Sequence, residues 1–361
     1  MAEAVEAARV RGLLLGSALG DAAGVVRGRW PVGGPLAVGV STQLAAFTAE
    51  GIIRASMRMD HKGICHPPSV LWHAYCRWAA LQGIEPERIS RRWTGGGGTW
   101  PDGWLARVPA LAERRGSAPA TVAALTGLTQ GSPTEPVTAS RGAHAATRSL
   151  PLAVPWAIWG AGGFERVVRG IAALTHGSPD AQEAAVGMVR LAGHCLREDD
   201  PITRWAGGGE GAEHPFDAVV RALPMPHAAD PDTVLGLLRS PGGHPDPARL
   251  AWLAPDATAV SALLGALYTV ACFPGRDTVR AALEFAAGAP DGRSVAATAG
   301  ALLGAAHGVD ALPVELLSRL ELAWVLDTLA RDLLQQCTDS PGGSEYQPPR
   351  DPNWWSRYPG W

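Results

Sequence analysis

The sequence predicts an all-α protein, and three observations support that prediction. Apolar residues recur at helical spacing in ten segments, and no stretch of useful length alternates apolar and polar residues as a half-buried strand does. The 44 glycines and 30 prolines concentrate between those segments. The predicted helices are residues 5–19, 42–57, 69–81, 141–157, 164–174, 179–196, 256–270, 278–287, 295–306 and 313–334. The predicted loops are residues 28–36, 94–103, 131–138, 206–214 and 240–247.

The composition predicts a globular chain with a large core. Of the 361 residues, 47% are hydrophobic and 18% are charged, which is not the balance of a disordered chain. The formal net charge is −3, and Lys62 is the only lysine, so nucleic acid and anionic membrane surfaces are not expected as partners. No period of about 20 to 50 residues repeats, which argues against a solenoid.

The cysteines and the apolar stretches point to a reducing, cytoplasmic setting. Five scattered cysteines without a CxxC pair do not make a disulfide framework. Glu3 and Glu6 precede the first apolar run, unlike a secretory signal. The uncharged stretches 257–273 and 294–309 are shorter than a membrane span needs, so we expect buried core helices there.

The chain divides at about Cys337 into a helical domain, residues 1–337, and a Pro- and aromatic-rich tail, residues 338–361. The tail is too polar to fold alone. Its large rings gain most when buried, so we expect the tail to dock on its own chain, with contact to a second copy or a partner as the alternative.

Five elements of the predicted helical domain carry side chains suited to a site. In chain order they are GLLLGSALGDAAG ending in Asp21, GVSTQL with Ser41, Thr42 and Gln43, SRGAHAATRSLP with Gly142, His144 and Arg148, the pair Thr175–His176, and APDGRSVAATAGALLGAAHG with Asp291, Arg293 and Ser294. Glycines four residues apart allow close approach to a helix backbone. An arginine near a helix start suits a phosphate. Each element alone fits ordinary capping or packing.

Taken in order, these elements resemble the ADP-ribosylglycohydrolase family, from about Gly12 to Leu334. The first element follows the family pattern GxxxGxAxGDAxG, and the last follows DxDTxAAxAGALxGAxxGxxxxP with departures. The resemblance implies an all-α bundle whose cleft holds two magnesium ions. It also implies cleavage of ADP-ribose from a side chain at the anomeric carbon.

The departures from the family pattern fall on the metal ligands. The family's TDDT loop is Gly39, Val40, Ser41 and Thr42 here, so both acids are absent. In DxDT, Asp291 is kept but the second acid is Arg293. The Glu that many members have after the GD pair is Gly28. Because Mg²⁺ needs several hard oxygen ligands, we expect no metal and no two-metal hydrolysis.

Arg293 has two interpretations. Its guanidinium either occupies the volume and charge of the missing metal beside Asp291 and Asp21, or lies exposed in a loop. An acid outside the motifs, Glu50, Asp102 or Asp310, is left open as a replacement ligand.

Three functions follow from these residues. The first is a metal-free pseudoenzyme that binds an ADP-ribosyl or ribosyl-nucleotide ligand through Ser41, Thr42, Gln43, Gly142, Arg148, His176 and Ser294. The second is a repurposed, metal-independent enzyme acting on a ribosyl or nucleoside-like molecule, with Asp21, Asp291 or His144 as acid or base and Arg293 stabilising negative charge. The third is a structural or interaction protein that uses the tail.

Two weaker candidates lie elsewhere. Asp60, His61, Cys65, His66, His73 and Cys76 include zinc-ligand types, but their spacing matches no common zinc pattern, and a Cys–His nucleophile there is weaker still. The Gly95–Gly98 run lacks the GKS or GKT of a phosphate loop and is interpreted as a plain loop.

Overall fold

The computed structural model describes residues 5–359 except 86–88, 90–99, 128, 161, 208–212 and 240–243. The described helices are α1 Ala7–Val25, α2 Val40–Lys62, α3 Pro67–Leu81, α4 Pro109–Ala112, α5 Pro119–Thr126, α6 His144–Thr147, α7 Ala153–Trp159, α8 Phe164–Ala173, α9 Pro179–Arg197, α10 Pro201–Ala206, α11 Pro215–Arg221, α12 Pro231–Arg239, α13 Pro247–Leu253, α14 Ala259–Cys272, α15 Val279–Ala286, α16 Gly292–His307, α17 Val314–Leu317, α18 Ala323–Asp339 and α19 Trp354–Arg357. Short 3₁₀ turns are Leu105–Arg107, Leu150–Leu152, Pro226–Ala228, Arg276–Thr278 and Val309–Ala311. Over these residues no strand forms, which confirms the all-α prediction.

Helices α1 and α16 form the centre of the molecule, and glycine sets their separation. A helix repeats every 3.6 residues, so glycines four apart share one face. The glycines of α1 are Gly12, Gly16, Gly20 and Gly24, and they face the backbones of Gly304, Gly300, Ala296 and Arg293 in that order. A Cβ at any of these α1 positions would overlap the α16 backbone. This close contact places Asp21, one residue after Gly20, beside the start of α16.

Two predicted helices are wrong in extent. Residues 141–157 form α6, a 3₁₀ turn and α7, because Pro151 and Pro155 interrupt regular hydrogen bonding there. Residues 313–334 divide into α17 and α18. An isolated bridge between Leu36 and Leu320 lies in the gap, so the loop before α2 is held at the start of α18.

Six short helices begin at prolines and lie outside the ten predicted helices. They are α4, α5, α10, α11, α12 and α13. Proline suits the first turn of a helix, since its missing N–H would have no partner there. The predicted 94–103 loop lies largely outside the described residues, as does the Gly95–Gly98 run.

The aromatic tail docks on its own chain. Trp354 and Tyr358 are buried. The Trp354 indole N–H donates to Gln336 Oε1 at 2.8 Å, and the Tyr358 hydroxyl donates to Asp332 Oδ2 at 2.6 Å. Both acceptors lie on α18, so the described tail residues complete one side of the bundle.

No single described helix is long and apolar enough to cross a membrane, and one bent pair of neighbouring helical segments is, by length and composition alone. The pair is Ala259–Cys272 with Arg276–Ala286, bent by 118°. Nearly all of Ala259–Cys272 is buried inside the protein.

Candidate functional site

The site is built around Asp21, which is 1% exposed near the end of α1. Its Oδ2 accepts hydrogen bonds from the Gly39 N–H at 2.7 Å and from Thr42, whose hydroxyl donates at 2.7 Å and whose N–H donates at 3.3 Å. Asp21 therefore fixes the start of α2, which has no side-chain cap of its own.

The other oxygen of Asp21 binds Arg293. The Nε and Nη2 atoms of Arg293 both donate to Asp21 Oδ1 at 3.2 Å. A Cβ at Gly39 would overlap the guanidinium, so glycine is required where the arginine passes the loop before α2. The Arg293 side chain is 36% exposed, so one edge of the guanidinium stays open to solvent. Arg293 therefore pairs with Asp21, and the ion pairs of the described residues do not join it to Asp291.

Gly142, His144 and His176 lie together beside this site, and we call this group the second wall. An isolated bridge joins Gly142 to Thr258, and a Cβ on Gly142 would lie 3.4 Å from the Nε2 of His176. The His176 Nδ1 is 2.8 Å from the Thr175 hydroxyl. These contacts fix the backbone that leads into His144.

Both histidines of this wall are held neutral. Burial lowers the pKa of His144, although the negative charges of Asp291 and Asp21 partly oppose that shift. Burial also lowers the pKa of His176 well below its usual value, and the charge of Arg148 adds to the effect. A neutral imidazole presents one acceptor nitrogen and one N–H donor to a ligand.

Asp291 and Ser294 flank the start of α16. Asp291 is the N-cap residue, but its side chain makes no capping hydrogen bond. Ser294 is buried, and its carbonyl accepts from the Thr298 hydroxyl at 2.8 Å. Asp291 is partly exposed, and its negative charge raises the pKa of His144.

Two predicted ligand-binding residues are not brought to Asp21. Gln43 is fully buried, donates to the Ala110 and Glu113 carbonyls at 3.0 and 2.9 Å, and accepts from Trp78. Arg148 is also fully buried: its guanidinium lies 4.4 Å from the Tyr75 ring centre and donates to the Ile171 carbonyl. Both side chains stabilise the core, which makes them unsuited to contact a ligand.

Ser41, the residue before Thr42, is buried, and its hydroxyl accepts from the Thr147 hydroxyl on α6 at 3.2 Å. This hydrogen bond joins the start of α2 to the second wall.

The acids left open as replacement metal ligands lie elsewhere. Glu50, Arg54, Arg77 and Asp102 form a cluster that we call the buried charge network. Asp310 is exposed in a 3₁₀ turn. Over the described residues no three His, Cys, Asp or Glu side chains are grouped to hold a metal ion. The zinc-ligand types between Asp60 and Cys76 therefore form no such group either. His73 from that set accepts from Arg77 at 2.9 Å instead.

Sequence reasoning missed Glu321. Its Oε1 accepts from the Val38 N–H at 2.9 Å and its Oε2 accepts from Arg115 at 2.7 Å. Burial raises the pKa of Glu321, while the Val38 N–H and Arg115 lower it and the charges of Glu113 and Asp21 raise it further. No motif could have indicated this residue, because contacts between residues far apart in sequence bring the chain before α18 to the loop before α2. They are the bridge at Leu36 and the Arg319 hydrogen bonds to the carbonyls of Pro31, Gly33 and Gly34.

The fold and this geometry define an all-α protein with a site at the meeting point of α1, the start of α2 and the start of α16. The ADP-ribosylglycohydrolase family model matches residues 2–342, so the chain belongs to the ADP-ribosylglycohydrolase family, as its sequence resemblance predicts.

A solved structure described as an ADP-ribosylglycohydrolase-related protein complex matches with a TM-score of 0.55 and 21% identity. The match covers 92% of this chain and 99% of the other, and it confirms the fold class. No curated protein matches this sequence.

Proposed function

We propose that this protein is a metal-free member of its family that binds an ADP-ribosyl or ribosyl-nucleotide ligand without hydrolysing it by the two-metal route. The observation that carries the proposal is the bond from Arg293 to Asp21 at the position where the family motif has a second acid. The guanidinium supplies one fixed positive charge where the active relatives are expected to hold metal.

The state of Asp21 supports the metal-free part of the proposal. Its Oδ1 accepts two N–H groups of Arg293, and its Oδ2 accepts three donors from Gly39 and Thr42. Mg²⁺ needs oxygen ligands in near-octahedral geometry. A single carboxylate whose oxygens are already engaged, next to a fixed positive charge, does not fit a divalent cation.

The open edge of Arg293 supports an anionic ligand. Nε and Nη2 donate to Asp21, and the described residues give Nη1 no hydrogen-bond partner. Guanidinium groups recognise phosphate oxygens through paired donors. Held by Asp21 beside Gly39, Arg293 is prepared to bind a pyrophosphate, and neutral His144, which is partly exposed, can meet a ribose hydroxyl.

The test is a thermal-shift and calorimetric titration with ADP-ribose, run once with Mg²⁺ and once with EDTA. A ligand at about 100 times its Kd stabilises the folded state by about 2.7 kcal/mol. We expect the same stabilisation in both buffers. Stabilisation that needs Mg²⁺ would contradict the metal-free assignment, and no stabilisation in either buffer would contradict ADP-ribose as the ligand.

Two variants connect the titration to the site. Arg293→Asp replaces the guanidinium with the acid of the family motif, and we expect it to lose the binding seen in EDTA. Arg280→Asp is the matched control, because Arg280 is an exposed arginine that pairs with Glu284 and Glu315 on the surface. It should bind ADP-ribose as the natural chain does.

A repurposed, metal-independent enzyme is the second candidate, and the neutral state of His144 near Asp291 and Asp21 favours it. A neutral imidazole can accept a proton, and a carboxylate can stabilise an oxocarbenium-like centre. Release of the free base from a nucleoside in EDTA, followed by chromatography and lost in His144→Gln, distinguishes this enzyme from a binding protein.

The interaction-protein alternative has less support, because Trp354 and Tyr358 are buried in their own chain instead of being offered to a partner. The proposed partner is thus a small ribosyl ligand. A cytoplasmic setting forms part of the proposal, supported by five cysteines that all carry free thiols.

A further inference from the structure

A pocket that we call the α2–α18 pocket lies far from Asp21. Its volume is about 480 Å³, and its walls come from α2, α3, α7, α8 and α18. Pockets for small molecules commonly measure about 300–1,000 Å³. Ala55 on its wall is thirteen residues from Thr42 on the same helix, a separation of about 20 Å at about 1.5 Å per residue. The two sites are therefore separate.

Most of the α2–α18 pocket is apolar. Ile52, Leu71, Phe164 and Ile171 are among the side chains that line it. Met59 and Trp159 also line it and are 47% and 52% exposed, large values for such side chains. An apolar pocket with an apolar rim is suited to the hydrocarbon body of a ligand.

One end of the pocket is polar and centred on Asp60. Gln336 Nε2 donates to Asp60 Oδ2 at 2.9 Å, and the Ser340 hydroxyl donates to the same oxygen at 3.0 Å. Gln336 also contacts the Ser56 hydroxyl at 3.3 Å. All of these donors are neutral, and the ion pairs of the described residues do not include Asp60.

A carboxylate bound only by neutral donors, beside an apolar wall, favours a cationic group. An ammonium group would gain a charge-assisted hydrogen bond there, because charged donors bind a carboxylate more strongly than neutral ones. A second carboxylate would be repelled, and a hydroxyl would gain less.

From this arrangement we propose that the α2–α18 pocket binds an amphipathic amine. The ammonium group pairs with Asp60, and the aryl or alkyl body fills the space between Ile52, Leu71 and Phe164. This site does not depend on the proposed ADP-ribosyl function.

The experiment compares three probes with the same body: 4-phenylbutylamine, 4-phenylbutanol and 4-phenylbutyric acid, titrated by calorimetry into the full chain. We expect the amine to bind at least tenfold more tightly than the alcohol and the acid to bind most weakly. Equal binding of the three, or no binding of the amine, would overturn the proposal without any variant.

Variants then locate the site. Asp60→Asn should remove the preference for amine over alcohol and leave alcohol binding unchanged, whereas Asp277→Asn, at an exposed surface aspartate, should change neither. Ala55→Phe should weaken the binding of all three probes by filling the pocket. Amine binding that survives both Asp60→Asn and Ala55→Phe would place it elsewhere. ADP-ribose binding should be the same with and without the amine, which separates this result from the test of the proposed function.

Discussion

Two groups of paired charges in this protein are arranged in opposite ways. In the buried charge network, Glu50, Arg54 and Arg77 are 0% exposed, and Asp102 completes an arrangement of two acids and two arginines. At the candidate site, a single acid, Asp21, binds a single arginine, Arg293, whose side chain is 36% exposed.

The difference separates structure from function. Glu50 divides its oxygens between Arg54, at 2.8 Å, and Arg77, at 2.6 Å, and a charge so deep must keep its partners. Arg54 also donates to the Pro359 carbonyl at 3.2 Å, which connects the network to the tail. Arg293 keeps an edge toward solvent, so it can meet a ligand without leaving Asp21. The first group stabilises the fold, and the second is available for binding.

The largest effect should come from Glu50→Gln. The change removes the charge shared by Arg54 and Arg77, and breaking one partner of a buried pair costs about 3–5 kcal/mol. We expect urea unfolding to show a loss in free energy of that size, with Glu345→Gln, at an exposed position, unchanged within about 0.5 kcal/mol. A loss below about 1 kcal/mol would remove the distinction between the two groups.

Much of the fold could be predicted from the sequence, and the failures have a common cause. The long helices α1, α2, α9 and α16 are extended segments rich in apolar residues and free of proline after their first turn, so they could be recognised in the sequence. The helices from α10 to α13 are short and begin with proline, so local punctuation concealed elements that tertiary packing stabilises. For the same reason α17, which is short, and α18 were predicted as one helix over residues 313–334.

The site was only partly predictable. Asp21, Thr42 and Arg293 stand in motifs, and the structure brings them together. Gln43 and Arg148 stand in motifs too, but burial assigns them to the core, which a linear pattern does not reveal. Glu321 is 300 residues from Asp21 in sequence, and only the three-dimensional fold brings it to the site.

Tyr358→Phe tests a separate buried carboxylate, Asp332, that holds the tail on α18. The tyrosine hydroxyl donates to Asp332, a buried carboxylate that Arg357 also contacts at 2.8 Å. Asp332 keeps that second partner in the variant, so we expect a loss of about 1.5 kcal/mol, near the lower end for bonds to charged groups. Chemical unfolding measures it, with Tyr346→Phe, on an exposed tail residue, as the control. No change would show that this hydrogen bond does not contribute to the docking of the tail.

Arg293→Ala should reduce the free energy of unfolding less than the two variants above and should weaken ligand binding. Asp21 keeps its three donors from Gly39 and Thr42, and the exposed edge of the arginine is already solvated, so we expect a loss of about 1 kcal/mol. ADP-ribose binding in EDTA should fall at least tenfold in the same variant. Arg280→Ala serves as the surface control. A stability loss near that of Glu50→Gln, with binding intact, would make Arg293 a structural residue and erase the comparison.

The smallest effect concerns His73, which the buried charge network keeps neutral. Burial and the charge of Arg77 lower the pKa of His73 to about 3, and its Nδ1 accepts from the Arg77 guanidinium at 2.9 Å. In the unfolded chain a histidine titrates near about 6.5. As the pH falls from about 6.5 toward 3, the unfolded state takes up a proton that the folded state refuses, so stability decreases.

His73→Gln keeps an acceptor for Arg77 but does not titrate. Between pH 7 and pH 6 the free energy of unfolding of the natural chain should therefore fall by about 0.7 kcal/mol more than that of the variant. This difference is the free energy that the unfolded chain gains when its histidine takes up a proton. Urea unfolding at the two pH values gives the difference, and His244→Gln, at an exposed position, should leave it unchanged. Equal pH dependence in His73→Gln and the natural chain would mean that the network admits a third positive charge. The buried charge network would then differ from the Asp21–Arg293 pair only in how deeply it is buried, because its charged groups could also accept a new partner.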